Sequence, residues 1–222
     1  HVEGSGVLLL HSVRSNRLEM IDRAEFLNKA GYSVLLIDMQ AHGETPGKQI
    51  TFGYKESIDV HTALRYLKKR ISGRKTGVLG VSLGGAAALL GDAPVDADAV
   101  VLEAVYSSIE KAVENRMVIH FGDFGNIVSF LLKWQIRPRM GIATDSLAPL
   151  AAIKNLESPV LIIAGERDRR TLLAESESVY RAASEPKELW VIKGARHQNF
   201  HRFTPAEYEQ RILEFFGKYL GN

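Results

Sequence analysis

Three residue types that can cooperate in acyl transfer occur in an ordered series along this chain. The segment Gly80-Val81-Ser82-Leu83-Gly84 has the pattern G-x-S-x-G and runs on into Gly85-Ala86-Ala87-Ala88. The apolar run Thr76 to Val81 leads into it, and a helix-forming run follows. In that context a serine sits on a sharp strand-to-helix turn with its hydroxyl exposed, and glycines two positions either side let strand and helix approach without a Cβ clash. The bland alternative is a tight glycine turn with an incidental serine. A serine hydroxyl is a weak nucleophile at neutral pH, so it needs a general base, and that base needs an orienting carboxylate. Gly165-Glu166-Arg167-Asp168 follows the apolar run Pro159 to Ala164, and Gly194-Ala195-Arg196-His197 follows Lys187 to Lys193. The order Ser82, Asp168, His197 is the one this motif predicts.

Each role has competitors. The chain holds 7 histidines. His1 is terminal, His61 and His120 fall in helical segments, and His201 follows His197 closely enough to be the rival base. Glu166 and Glu103 are the rival acids, Glu103 because it ends the preceding apolar run. An oxyanion hole needs two backbone N–H donors. Leu83, directly after the serine, supplies one, and the loop Leu10-His11-Ser12-Val13-Arg14-Ser15-Asn16 supplies the other, with Val13 best placed. His42-Gly43-Glu44 has reactive residue types but reads as a polar loop beside the site.

The elements that must position these residues follow from periodicity. Gly6 to Leu10, Tyr32 to Asp38, Thr76 to Val81, Ala99 to Ala104, Pro159 to Ala164 and Lys187 to Lys193 are short apolar runs, and all read as strands buried on both faces. Between them lie helical stripes: Met20, Ala24, Leu27, then Val60, Ala63, Leu64, Leu67, Ile71, and then Leu172, Ser176, Val179, Tyr180, Ala183. A last stripe, Tyr208, Ile212, Phe215, Phe216 and Tyr219, follows Thr204-Pro205-Ala206-Glu207, which has the sequence of a capped helix start. Alternating strands and helices predict an α/β fold, a three-layer α/β/α sandwich on a mostly parallel sheet, as one domain over residues 1–222. Residues 105–149 break the alternation. Phe121, Phe124, Ile127, Phe130, Leu131 and Trp134 precede Arg137-Pro138-Arg139 there, and a strandless insertion of that length is expected to be functional, here a helical lid.

Composition closes other routes. The chain has 222 residues, 45% of them hydrophobic and 24% charged, which is ordinary for a globular domain. With 0 cysteines there is no disulfide framework or cysteine nucleophile, and a reducing, cytoplasmic compartment is favoured. A net charge of +2 argues against nucleic acid as a partner. No apolar run is long enough to span a membrane. The chain opens on His1 rather than methionine, so a preceding segment is expected, and an anchor there is the alternative to a cytoplasmic location. The residues match neither a zinc-ligand pattern nor a phosphate-binding or dinucleotide fingerprint, so no cofactor and no metal are expected.

From about residue 7 to 220 the chain resembles the α/β-hydrolase superfamily, and most of all its compact serine-aminopeptidase-like or BEM46-like members. The resemblance is carried by Leu8-Leu9-Leu10-His11, Ala30-Gly31-Tyr32-Ser33-Val34-Leu35-Leu36-Ile37-Asp38, Ala41-His42-Gly43-Glu44-Thr45, the Ser82 turn, and the Asp168 and His197 loops. It implies a Ser82–His197–Asp168 triad, with Val13 donating the second oxyanion N–H. This chain departs from the family in having Ser12 where glycine is usual and Gln40-Ala41 where Arg-Gly is common. The family fold has eight strands; here about 6 are read, with the first two apparently absent. The expected activity is two-step hydrolysis of a small carboxylic ester with an apolar part. Amidase or aminopeptidase action is the nearest alternative, and a ligand-binding member without turnover is the alternative from another class. The basic, aromatic stretch Lys133 to Arg139 reads as a solvated lid edge, with membrane contact, through the lid or a preceding segment, as the sharper reading.

Overall fold

The computed structural model describes residues 4–221; His1 lies outside the described residues. Six strands form one parallel sheet: β1 (Gly6–Leu10), β2 (Ser33–Leu36), β3 (Thr76–Val81), β4 (Ala99–Glu103), β5 (Val160–Gly165) and β6 (Lys187–Ile192). Their spatial order is β2-β1-β3-β4-β5-β6. Each predicted run therefore contains a strand, with ends shifted by a residue or two where the loop begins.

Side chains along the central strands alternate between two apolar clusters. Leu8 and Leu10 of β1, Val78 of β3, Val100 and Leu102 of β4 and Ile162 of β5 enter one. Val7, Leu9, Leu79, Val101 and Ile163 enter the other. Helices α2 (Glu56–Ile71), α3 (Leu83–Leu89) and α7 (Leu173–Ala182) supply the first cluster. Helices α1 (Ile21–Lys29) and α9 (Pro205–Leu220) supply the second. These are the three layers, and the predicted stripes are the faces that meet the sheet.

Two strands correct the expectation of burial on both faces. β2 and β6 are the sheet's edges, and most of their residues are only half-buried. An edge strand has a neighbour on one side only, so part of it faces solvent. The start of α9 is a second correction. Thr204 makes no side-chain cap bond, because the same residue also ends the short helix α8 (Phe200–Phe203), its N–H donating to Phe200 O, and its ψ of 71° is not the extended geometry of a capping residue.

Residues 105–149 contain no strand. They form α4 (Ile109–Phe121) and α5 (Gly125–Met140), packed against each other as a helical hairpin, then a 3-10 turn and the short helix α6 (Pro149–Ala152). At the hairpin's tip a Cβ on Gly125 would lie 2.4 Å from the Met117 carbonyl, so only glycine permits the close approach. Among the described residues no helix is long and apolar enough to cross a membrane.

Candidate active site

The chain reverses its direction of sheet growth between β1 and β3, which leaves a crevice at their carboxyl ends. Leu10 pairs with Gly80 across that junction, so the loop after β1 and the Ser82 turn lie side by side. The backbone around the crevice is strained. Arg14, Ala41, Ser82 and Ala104, one after each of the first four strands, all have positive φ without being glycine. Ser82 has φ 49° and ψ −104°, and its N–H donates to the Glu103 carbonyl at 2.8 Å. The turn closes because its neighbours have no Cβ: on Gly80 it would meet Gly85 N at 2.5 Å, and on Gly84 it would meet Leu10 O at 2.5 Å. Ser82 is nearly buried, and its Oγ makes no hydrogen bond to another described side chain or backbone group.

β5 and β6 bring the acid and the base together. His197 Nδ1 donates to Asp168 Oδ2 at 2.7 Å. The other oxygen, Oδ1, accepts the N–H groups of Arg170 at 2.7 Å and Thr171 at 3.0 Å. With both oxygens of the buried Asp168 occupied, its carboxylate is held in one orientation. The two loops are also stitched to each other: Arg167 N–H donates to Ala195 O at 2.8 Å, and Gly194 N–H to Glu166 Oε2 at 2.8 Å.

Each rival has other partners. Glu166 is exposed and braces Gly194. His201 Nε2 bonds Glu209 Oε1 at 2.8 Å, with its ring against Phe26 and Tyr208. Glu103 is fully buried on the far side of the sheet's end, where Arg23 of α1 binds it in bidentate fashion at 3.1 and 2.8 Å and Tyr208 of α9 also donates to it. Burial opposes the Arg23 charge, but Glu103 and Tyr208 outweigh it and raise the guanidinium's pKa. Burial is also the main reason the Tyr208 hydroxyl is pushed well up. Glu103 is thus a brace: its side chain is clamped by two helices while its carbonyl carries the Ser82 N–H.

The loop after β1 is held from both ends. Ser12, the departure from the family's glycine, donates its N–H at 2.8 Å and its hydroxyl to Glu19. His11 is buried, donates from Nδ1 to Ser12 O at 2.8 Å, and accepts the Met39 N–H on Nε2 at 3.2 Å. Burial lowers its pKa, outweighing the Ser12 carbonyl and other groups that favour the cation. Among the described residues the N–H groups of Val13 and Leu83 donate to no other group.

Asp38 is a loop anchor that spacing alone does not reveal. Its carboxylate accepts the N–H of Arg17 at 2.6 Å and of Glu44 at 2.9 Å and pairs with the Arg17 guanidinium. A Cβ on Gly43, at φ 52°, would collide with that carboxylate. The His42-Gly43-Glu44 segment is therefore a loop wrapped on Asp38, and His42 Nδ1 bonds Gln40 O at 2.9 Å. The only sequence signal is an aspartate closing an apolar run six residues before a glutamate, in a loop containing glycine.

Glu175 is likewise missed by spacing. It accepts bonds from Ser107 N at 3.1 Å and Ser107 Oγ at 2.6 Å, and from Asn115 Nδ2 at 2.5 Å. Asn115 also donates to Arg170 O at 3.0 Å, which ties the hairpin to the Asp168 loop. A cavity of about 580 Å³ lies at the hairpin's base, lined by Ser107, Lys111, Leu150, Leu172 and Glu175; it contains none of Ser82, Asp168 and His197.

Residues 7–211 match the model of the alpha/beta hydrolase family. The chain belongs to that family. Among solved structures it is similar to the esterase Pf2001 of Pyrococcus furiosus, with 27% identity and a TM-score of 0.79 over 99% of this chain and 85% of that one. Among curated sequences it is 24% identical to YqkD of Bacillus subtilis over 97% of this chain and 72% of that protein. It is 28% identical to human ABHD12B over 78% of this chain, spanning 47% of that protein's length. A six-stranded parallel sheet with helices on both sides is the fold of this family, and it makes this alpha/beta hydrolase a hydrolase by kinship.

Proposed function

We propose that this alpha/beta hydrolase is a serine esterase that works through an acyl-enzyme. The observation carrying this reading is the Asp168–His197 pair at 2.7 Å, with Asp168 anchored by two amides and a strained serine on the turn after β3. Ser82 Oγ attacks the ester carbonyl carbon while His197 Nε2 takes its proton. Asp168 holds Nδ1–H and stabilises the imidazolium that forms. The unpartnered N–H groups of Val13 and Leu83 receive the developing oxyanion, a role worth about 2.7–4 kcal/mol of barrier per donor. His197 then returns the proton to the leaving alcohol. A water molecule, deprotonated by the same imidazole, releases the carboxylic acid and restores Ser82.

The hairpin of α4 and α5 acts as a lid, supported by its attachment to the Asp168 loop through Asn115. An apolar acyl or alcohol group rests on the half-buried side chains of Val13 and Val113, which pack on the same cluster as Leu83. The ester reading draws on the Pyrococcus furiosus esterase, which this chain resembles over nearly its whole length.

Hydrolysis of p-nitrophenyl esters of graded acyl length tests it, with Ser82→Ala as the control. The expected result is turnover that falls by about 10⁴-fold or more in the variant, and labelling of Ser82 by a fluorophosphonate. Turnover that survives Ser82→Ala sinks the serine mechanism. Amide cleavage without ester cleavage, still dependent on Ser82, overturns only the ester assignment.

A further inference from the structure

Helix α5 has two apolar faces, and the fold uses one. Gly125, Ser129 and Ile136 are buried on the face toward α4. Ile127, Phe130, Leu131 and Trp134 stand at i, i+3, i+4 and i+7 on another, and they are 58%, 68%, 57% and 78% exposed. Phe121 and Phe124 extend the patch around the tip. Of the large apolar side chains exposed in this protein, these are the ones gathered into a single stripe; Leu18, Ile58 and Tyr66 are scattered elsewhere. An exposed patch of this kind costs solubility and marks a surface that meets something apolar.

The charges around it select the occupant. α5 carries Lys133, Arg137 and Arg139 and no acidic residue. Arg137 and Arg139 are exposed at its carboxyl end, and Lys133 lies 3.9 Å from Glu114 of α4. Asp123, between Phe121 and Phe124, is the acidic side chain at the tip, so against three cations the patch keeps a net positive charge that an uncharged apolar partner would leave unanswered. Aromatic and aliphatic side chains beside arginines, with an indole at the centre, instead suit a surface that is apolar within and anionic at its rim.

We infer that the outer face of α5 docks on an anionic lipid bilayer surface. Phe121, Phe124, Ile127, Phe130, Leu131 and Trp134 enter the boundary between headgroups and acyl chains, and Arg137 and Arg139 contact the phosphates. Docking in this orientation sets the hairpin, and with it the Asp168 loop to which Asn115 is bonded, next to the bilayer. The inference goes beyond the esterase reading and does not depend on turnover.

The protein carries its own reporter. It has 2 tryptophans, and Trp190 is buried while Trp134 is exposed. The chain, as Ser82→Ala to exclude turnover, is mixed with vesicles of phosphatidylcholine alone or with about one-third phosphatidylglycerol, and both sedimentation and tryptophan emission are followed. The expected result is binding to the anionic vesicles with a blue shift that disappears in Trp134→Phe. Arg137→Gln and Arg139→Gln should each weaken binding about five-fold at low salt. Phe130→Ser combined with Trp134→Ser should abolish it, with thermal unfolding unchanged as the check on folding. Two results overturn the inference. One is no binding to either vesicle. The other is a concentration-dependent dimer in lipid-free buffer that shifts the Trp134 emission and is lost in the double serine variant, which assigns the patch to a second copy.

Discussion

Two neighbouring strands, β4 and β5, each lead to a buried carboxylate at their carboxyl ends, Glu103 and Asp168, and the two acids have different partners. Glu103 meets a guanidinium and a phenol from two helices and is locked into the packing. Asp168 meets two backbone amides and an imidazole whose other nitrogen is left unbonded. A permanent cation neutralises its partner and removes it from proton chemistry. A histidine does not, because it can take up and release a proton near neutral pH. In the proposed mechanism the partner, rather than the acid or its burial, divides a structural carboxylate from a working one.

Substitutions at the two corners should separate these roles. The largest effect belongs to Asp168→Asn, expected to lower kcat on a p-nitrophenyl ester by about 10⁴-fold with the fold intact, while Glu103→Gln acts mainly on stability. Severe loss of kcat in Glu103→Gln with a mild Asp168→Asn would reverse the assignment of the acid. Next comes Arg23→Met, which leaves Glu103 buried and uncompensated and should cost about 3–5 kcal/mol in urea unfolding. Adding Glu103→Leu to it should recover most of that loss, because the orphaned charge goes with it.

Acid sensitivity gives a finer contrast between loops held by charge and by a neutral ring. Burial pushes the Asp38 pKa up, but the amides of Glu44 and Arg17 and the Arg17 guanidinium more than offset it, so Asp38 is held below its ordinary 3.8. Its contribution to stability is complete above that value and is lost as pH falls through the lower folded pKa. His11 is lowered from 6.5, mainly by burial, so the unfolded chain takes up that proton first and stability declines as pH falls below 6.5. Urea midpoints measured across acidic pH should therefore fall in two stages, with His11→Gln flattening the upper and Asp38→Asn the lower. The smallest effect is expected at His201. His201→Ala should cost on the order of 1 kcal/mol by losing the Glu209 bond and leave kcat within a few-fold, whereas His197→Ala should remove turnover. Equal loss of kcat in the two would overturn the assignment of the base.

Much of the fold was legible because its causes are local. Gly80 to Gly85 announces a strand-to-helix turn, since few other residues survive its close contacts. The six strands are apolar runs with glycine or charged loops beyond them. The differences arose where a neighbour in space decides. Ser33 to Leu36 resembles the central strands in composition yet lies at an edge, which only the sheet order can show. Thr204 looks like a cap, but a short helix ends on it. Phe130 and Trp134 invite a reading as lining for a substrate cavity, but helix rotation turns them to solvent.

The sequence by itself determined the order of strands and helices, the position of the Ser82 turn, and the loops from which an acid and a base would come. These follow from periodicity, glycine sterics and chain order. Tertiary structure alone decided which carboxylate meets the histidine, that Glu103 belongs to Arg23 and Tyr208, and that Asp38 gathers the loops of Arg17 and Glu44. Those pairings join residues far apart in the chain, 80 positions for Arg23 and Glu103, and short-range patterns carry no record of which side chains the folded sheet brings within a hydrogen bond of each other.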